Sequence, residues 1–142
     1  MSRLMSKETA LTAAWIVALG SSLAVLYIGE VLGQAPCNLC WLQRAFMFPL
    51  AVILAVASFR GDASVSRYGL PLAALGAAIA AFHSLLYARI LPAAIEPCTQ
   101  DGPSCSGVEM TVLGILPLPY LSLAAFGSIA LLLVLAHRRR ST

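Results

Sequence analysis

The chain has 142 residues, of which 60% are hydrophobic and 11% charged, with a formal net charge of +3 and a mean hydropathy of +0.88. That composition lies far outside the range of soluble domains and fits a chain embedded in a bilayer. It leaves no room for a sizeable soluble domain, and no basic face with interleaved aromatics points to nucleic acid.

Four apolar stretches follow one another, at about 9–32, 41–59, 68–91 and 115–136. Each is long enough to cross a hydrocarbon core, which takes about 20 helical residues. They are rich in Leu, Ala and Ile and lack the two-residue alternation of barrel strands, so helices are expected. The expected fold is an all-α membrane protein, an antiparallel bundle of four transmembrane helices forming one domain over 1–142. The first stretch is long and lacks a small-residue cleavage site after it, so it reads as a retained span. Gly76 and Ala80, four apart, permit close helix packing. Pro117 and Pro119 open the fourth stretch, where missing amide donors cost little.

Orientation follows from the nine Lys and Arg residues. Arg3, Lys7, Arg60, Arg67, Arg138, Arg139 and Arg140 fall on one side. Arg44 and Arg89 flank the other, each inside a helical segment near its end, and Glu96, Asp101 and Glu109 occupy the loop there. The bias places both termini in the cytoplasm. Trp41, Tyr87 and Tyr120 stand where interfacial aromatics anchor helices, and Glu30 is a solvated residue at the outer end of the first span.

All four cysteines lie in the two extracytoplasmic connections, Cys37 and Cys40 in one, Cys98 and Cys105 in the other. This is the side on which disulfides persist. Three readings compete. Structural stapling fits the even count, but a loop as short as Cys37-Asn38-Leu39-Cys40 restricts little chain entropy. A zinc site fits CxxC, though the gap from Cys98 to Cys105 is wide. Reversible thiol–disulfide exchange fits both pairs. The residues after Cys40 favour exchange: Cys40 opens the second span, near a helix N-terminus that stabilises a thiolate. Arg44 lies one turn further on the same face, where a cation can also simply snorkel to the headgroups.

The stretch Cys37-Asn38-Leu39-Cys40-Trp41-Leu42-Gln43-Arg44 resembles the DsbB family, whose members carry CxxC, two residues, Gln or Glu, then Arg. The short BdbC-like form is the most similar. The resemblance continues through Phe82-His83-Ser84-Leu85-Leu86-Tyr87, the Cys98 and Cys105 pair, and Leu113-Gly114-Ile115-Leu116-Pro117-Leu118-Pro119. It implies a disulfide-forming oxidase of a bacterial inner membrane that reoxidises a DsbA-like thioredoxin-fold partner and delivers two electrons to a quinone, ubiquinone or menaquinone. By position, it implies that Cys98 meets the partner, Cys105 resolves the mixed disulfide and exchanges with Cys37, and Cys40 faces the quinone. Arg44 would then stabilise charge on the Cys40 thiolate and the ring oxygen, and His83 would act in the quinone pocket as a hydrogen-bond donor or proton relay. No resident metal or flavin is expected. Larger members have a longer second loop, whereas here six residues separate Cys98 from Cys105 and Asp101-Gly102-Pro103 is a turn signal that lets the sulfurs approach.

Two other readings remain beside this one. A quinone reductase of the vitamin K epoxide type shares four helices and a CxxC, but its motif is expected near the last span. A small four-span transporter should bury an ionisable residue near the midplane, and only His83 comes near that.

Overall fold

The computed structural model describes residues 6–98, 102–106 and 110–140, so the expectations placed on Arg3, Asp101 and Glu109 lie outside it. Helix α1 (Lys7–Leu26) starts at Ser6, whose hydroxyl accepts the Thr9 N–H at 3.1 Å. It runs into a π-helical turn, Tyr27–Val31. Helix α2 (Asn38–Arg60) ends at Gly61, which adopts φ 63°, a left-handed cap that glycine takes without a Cβ penalty. A short 3₁₀ turn, Ala63–Val65, leads into α3 (Ser66–Tyr87). A second, Ala93–Ile95, precedes strands β1 (Thr111–Val112) and β2 (Leu116–Pro117) and then α4 (Leu118–Arg140).

Among the described residues four helical segments are long and apolar enough to cross a membrane: Lys7–Val31, Asn38–Arg60, Ala63–Tyr87 and Leu118–Arg139. The chain is a multi-pass membrane protein. Around the bundle α1 packs on α2 and α4, and α3 on the same two, so sequence neighbours are spatial neighbours. Its core includes Leu11, Leu50, Leu54, Phe126, Ile129 and Leu133. Large apolar side chains such as Ile16, Val52, Phe59, Leu75 and Leu131 point outward, as a bilayer solvent requires. Gly76 belongs to the tightest contact: a Cβ there would overlap the Phe126 ring of α4. Interior hydroxyls are satisfied by backbone carbonyls, Ser84 within α3 on that of Ala80 at 2.7 Å and Ser66 across to that of Leu133 on α4 at 3.2 Å.

Three expected boundaries move. The third span stops at Tyr87, because Arg89 takes φ 57°, and Arg89 therefore lies beyond the helix instead of inside its last turn. The fourth starts at Leu118, because the residues before it form a hairpin in which Thr111 pairs with Pro117 and Val112 with Leu116. Leu113 and Gly114 turn that hairpin with φ 56° and 71°, and the Ile115 N–H closes it on the Val112 carbonyl at 3.2 Å. The second starts at Asn38, so the N-cap is Cys37, with extended backbone, and Cys40 sits inside the first turn.

Candidate active site

Both cysteine pairs meet at one end of the bundle, opposite Lys7, Arg60 and Arg67. They share a small apolar cluster of Cys37, Leu39, Leu86, Cys105 and Met110, with Cys40, Phe82 and Cys98 partly buried against it. Cys98 and Cys105 are joined as a disulfide, Cα–Cα 6.0 Å, and Cys37 and Cys40 are free. The Cys37 and Cys40 sulfurs lie 2.8 Å apart. The sulfurs of Cys37, Cys98 and Cys105 all lie within 4.8 Å of one another. Four sulfurs thus form an unbroken series from the loop disulfide to the first turn of α2.

One hydrogen bond ties the second loop to the first turn of α2, one closes that loop on itself and one ties it to α3. Asn38 Nδ2 donates to the Pro97 carbonyl at 3.0 Å. The Cys105 N–H donates to Glu96 Oε1 at 2.9 Å. His83 Nε2 donates to the Cys105 carbonyl at 3.0 Å, while Gln43 Nε2 reaches His83 Nδ1 at 3.0 Å. Asn38 and Glu96 gave no sequence signal for these roles, because the first depends on how the two loops are stacked and the second on how the second loop folds back on itself.

The helix N-terminus acts on Cys37, whose sulfur accepts the Cys40 N–H at 3.2 Å, where the sequence placed it at Cys40. The Cys40 thiol beside it, then His83 and the Cys40 N–H, hold the Cys37 thiol well below the ordinary thiol range, against the opposing effect of burial.

Cys40 opens onto a cavity of about 400 Å³, whose lining includes Arg44, Gln43, His83 and Met110, with small residues of α1 and α4 such as Gly20, Ala24 and Ala125. Arg44 lies on the same face as Cys40, as the four-residue spacing requires. Its Nη2 donates to the Val25 carbonyl at 3.0 Å and its guanidinium carbon stands 5.4 Å from the Trp41 ring centre. Its Nε is buried and has no hydrogen-bond partner among the described residues. His83 is buried and borders the cavity, but both ring nitrogens are engaged by Gln43 and the Cys105 carbonyl. Met110 covers Cys40, sulfur to sulfur 3.9 Å. Tyr87 and Tyr120 pack edge to face at 5.6 Å. Glu30 is exposed.

The family model described as disulfide bond formation protein DsbB matches residues 7–136. A probable disulfide formation protein of Metapseudomonas resinovorans is 61% identical over 125 residues, 88% of this chain and 87% of that protein. Disulfide bond formation protein C of Bacillus subtilis is 40% identical over 131 residues, 92% and 94% of the two chains. A probable disulfide formation protein of Deinococcus radiodurans is 41% identical over 143 residues, 95% and 93%. No solved structure matches the chain.

Proposed function

The chain belongs to the DsbB family of disulfide bond formation proteins, and from that premise we propose that it oxidises the dithiol of a DsbA-like thioredoxin-fold partner and passes two electrons through its two cysteine pairs to a membrane quinone. Its class, an oxidoreductase acting in disulfide bond formation, comes with the family. The observation that carries the finer reading is the sulfur series that ends at Cys40 on the wall of an apolar cavity.

In the proposed order a partner thiolate attacks Cys98 and a mixed disulfide forms as the Cys98–Cys105 bond breaks. The electron pair leaves on Cys105, which attacks Cys37 of an inner pair that a previous round of quinone reduction would have oxidised to a Cys37–Cys40 disulfide; the Cys37–Cys105 bond forms, the Cys37–Cys40 bond breaks and Cys40 leaves as a thiolate. Charge thereby arrives at the residue that opens onto the cavity. A quinone bound there would supply a two-electron acceptor whose ring oxygens take up protons on reduction. The cavity suits such a flat, largely apolar group, since its lining is mostly aliphatic with Arg44 on the wall, whose buried Nε has no acceptor among the described residues, and buried donors are rarely left so. Arg44 would hold a ring oxygen and stabilise the Cys40 thiolate, and His83 would wall the cavity off from Cys105. The proposed topology follows the charge bias: termini in the cytoplasm, cysteines outside the inner membrane.

The order is tested with a thioredoxin-fold partner that keeps only its attacking cysteine. It should accumulate a complex linked through Cys98, visible on a non-reducing gel, because it can open the Cys98–Cys105 disulfide but lacks the second thiol that would release Cys98. A complex linked through Cys37, with Cys98 dispensable, would contradict the order.

A further inference from the structure

Gln43 and His83 form a buried polar pair beside the sulfurs, one on α2 and one on α3. An amide nitrogen can only donate, so with Gln43 Nε2 toward the ring, Nδ1 must accept and the ring proton must sit on Nε2. The opposite arrangement, with the amide oxygen toward Nδ1–H, would leave Nε2 bare and facing the Cys105 carbonyl at 3.0 Å, acceptor against acceptor. Among the neutral forms of the ring, that carbonyl thus settles both the amide orientation and the tautomer. In the resulting form Nε2–H points at the Cys105 carbonyl and lies 4.0 Å from the Cys37 sulfur.

We propose that Gln43 is a positioning residue for exchange between the two cysteine pairs, holding His83 as the neutral Nε2–H tautomer so that this N–H serves the Cys37 sulfur. The proposal rests on the relay above. In the step that frees the inner pair, the Cys98 thiolate attacks Cys105 of a Cys37–Cys105 bridge. The Cys98–Cys105 bond forms, the Cys37–Cys105 bond breaks, and the electron pair leaves on Cys37. One disulfide replaces another, so no oxidant is consumed and no proton needs to move. Negative charge passes from Cys98 to Cys37, and His83 Nε2–H is the donor in place to meet it. The structure has the connectivity of the product, Cys98 bonded to Cys105 and Cys37 free. The other titratable or charged groups around the pair are Cys40 in the first turn of α2, Arg44 one turn further, and Glu96, which accepts the Cys105 N–H from the opposite side. Among the described residues none of them contacts His83 Nδ1, and Gln43 is the group that meets that nitrogen.

The test uses Cys40→Ala, which leaves three cysteines in equilibrium between the Cys98–Cys105 and Cys37–Cys105 bridges. Acid quenching and mass-spectrometric peptide mapping read that ratio without partner or quinone, so its outcome is separate from that of the relay, which partner-driven quinone reduction reads. At neutral pH, Gln43→Leu in this background should shift the ratio toward Cys37–Cys105 by about tenfold, the loss of one charge-assisted hydrogen bond. Gln43→Glu is nearly isosteric, so it carries the test even if the leucine variant does not fold. Its carboxylate can only accept from Nδ1, so it cannot hold the neutral Nε2–H form, and its ratio should also differ from the parent's at neutral pH. Nitrogen-labelled histidine should show the Nε2–H form at His83 in the parent. An unchanged ratio in folded Gln43→Leu, an unchanged ratio in Gln43→Glu, or an Nδ1–H tautomer at His83 would each overturn the proposal.

Discussion

Replacing Arg44 with alanine separates anchoring from chemistry. In the folded protein Arg44 bonds the Val25 carbonyl at 3.0 Å and lies over Trp41. Losing the first costs about 1 kcal/mol of stability and losing the second about 0.5–1 kcal/mol, so Arg44→Ala should inactivate at a modestly lower temperature. The effect on electron transfer should be larger. Arg44 is the cation beside Cys40 on the cavity wall, and its buried Nε has no acceptor among the described residues. A charge-assisted hydrogen bond that strengthens as negative charge develops contributes about 1.5–3 kcal/mol, or roughly one to two decades in rate. Arg44→Ala should therefore slow quinone reduction by that factor while leaving partner exchange at Cys98 intact. Arg44→Lys should restore part of the rate, since an ammonium keeps the charge but not the planar fork. Single-turnover mixing of reduced protein with limiting quinone separates the two half-reactions. A wild-type rate of quinone reduction in Arg44→Ala under those conditions would reduce this residue to a snorkelling anchor.

The topology predicts that impermeant thiol reagents label the reduced protein from outside the cytoplasmic membrane. Labelling of Cys98 only from the cytoplasmic side would reverse the orientation. Gly76→Ala should destabilise the bundle by about 1–3 kcal/mol, because its Cβ meets Phe126. Thermal inactivation in detergent reads this, and Phe126→Leu should recover part of the loss; an unchanged midpoint for Gly76→Ala would contradict the packing. Lowering a thiol's pKa favours its charged form, so the Cys37 thiolate should persist at a pH below the ordinary thiol value of about 8.5. Ultraviolet thiolate absorbance of the Cys98→Ser, Cys105→Ser protein should show that early titration, and an ordinary midpoint would refute it.

The spans and the grouping of the cysteines were legible because both are properties of the chain order: hydropathy over a window, and which connection holds which residue. The juxtaposition of Cys40 and Arg44 was legible for the same reason, since four residues make about one helical turn. What escaped the sequence depends on how one element is set against another. Gln43 meets His83 only because of the relative rotation of α2 and α3, and Asn38 meets Pro97 only because the loops are stacked. The hairpin that shortens the fourth span turns on Leu113 at φ 56°, a residue type that advertises no left-handed conformation. The helix N-terminus moved to Cys37 because hydropathy marks where a helix becomes apolar, and capping marks where it begins.

In the proposed relay, electrons from a protein dithiol leave the chain at Cys40. Purified protein in lipid nanodiscs, mixed without oxygen with a reduced thioredoxin-fold partner and quinone, tests it directly. One quinone should be reduced for each partner disulfide formed, with reduction abolished in Cys40→Ala. Partner oxidation without quinone reduction, or full quinone reduction in Cys40→Ala, would contradict it.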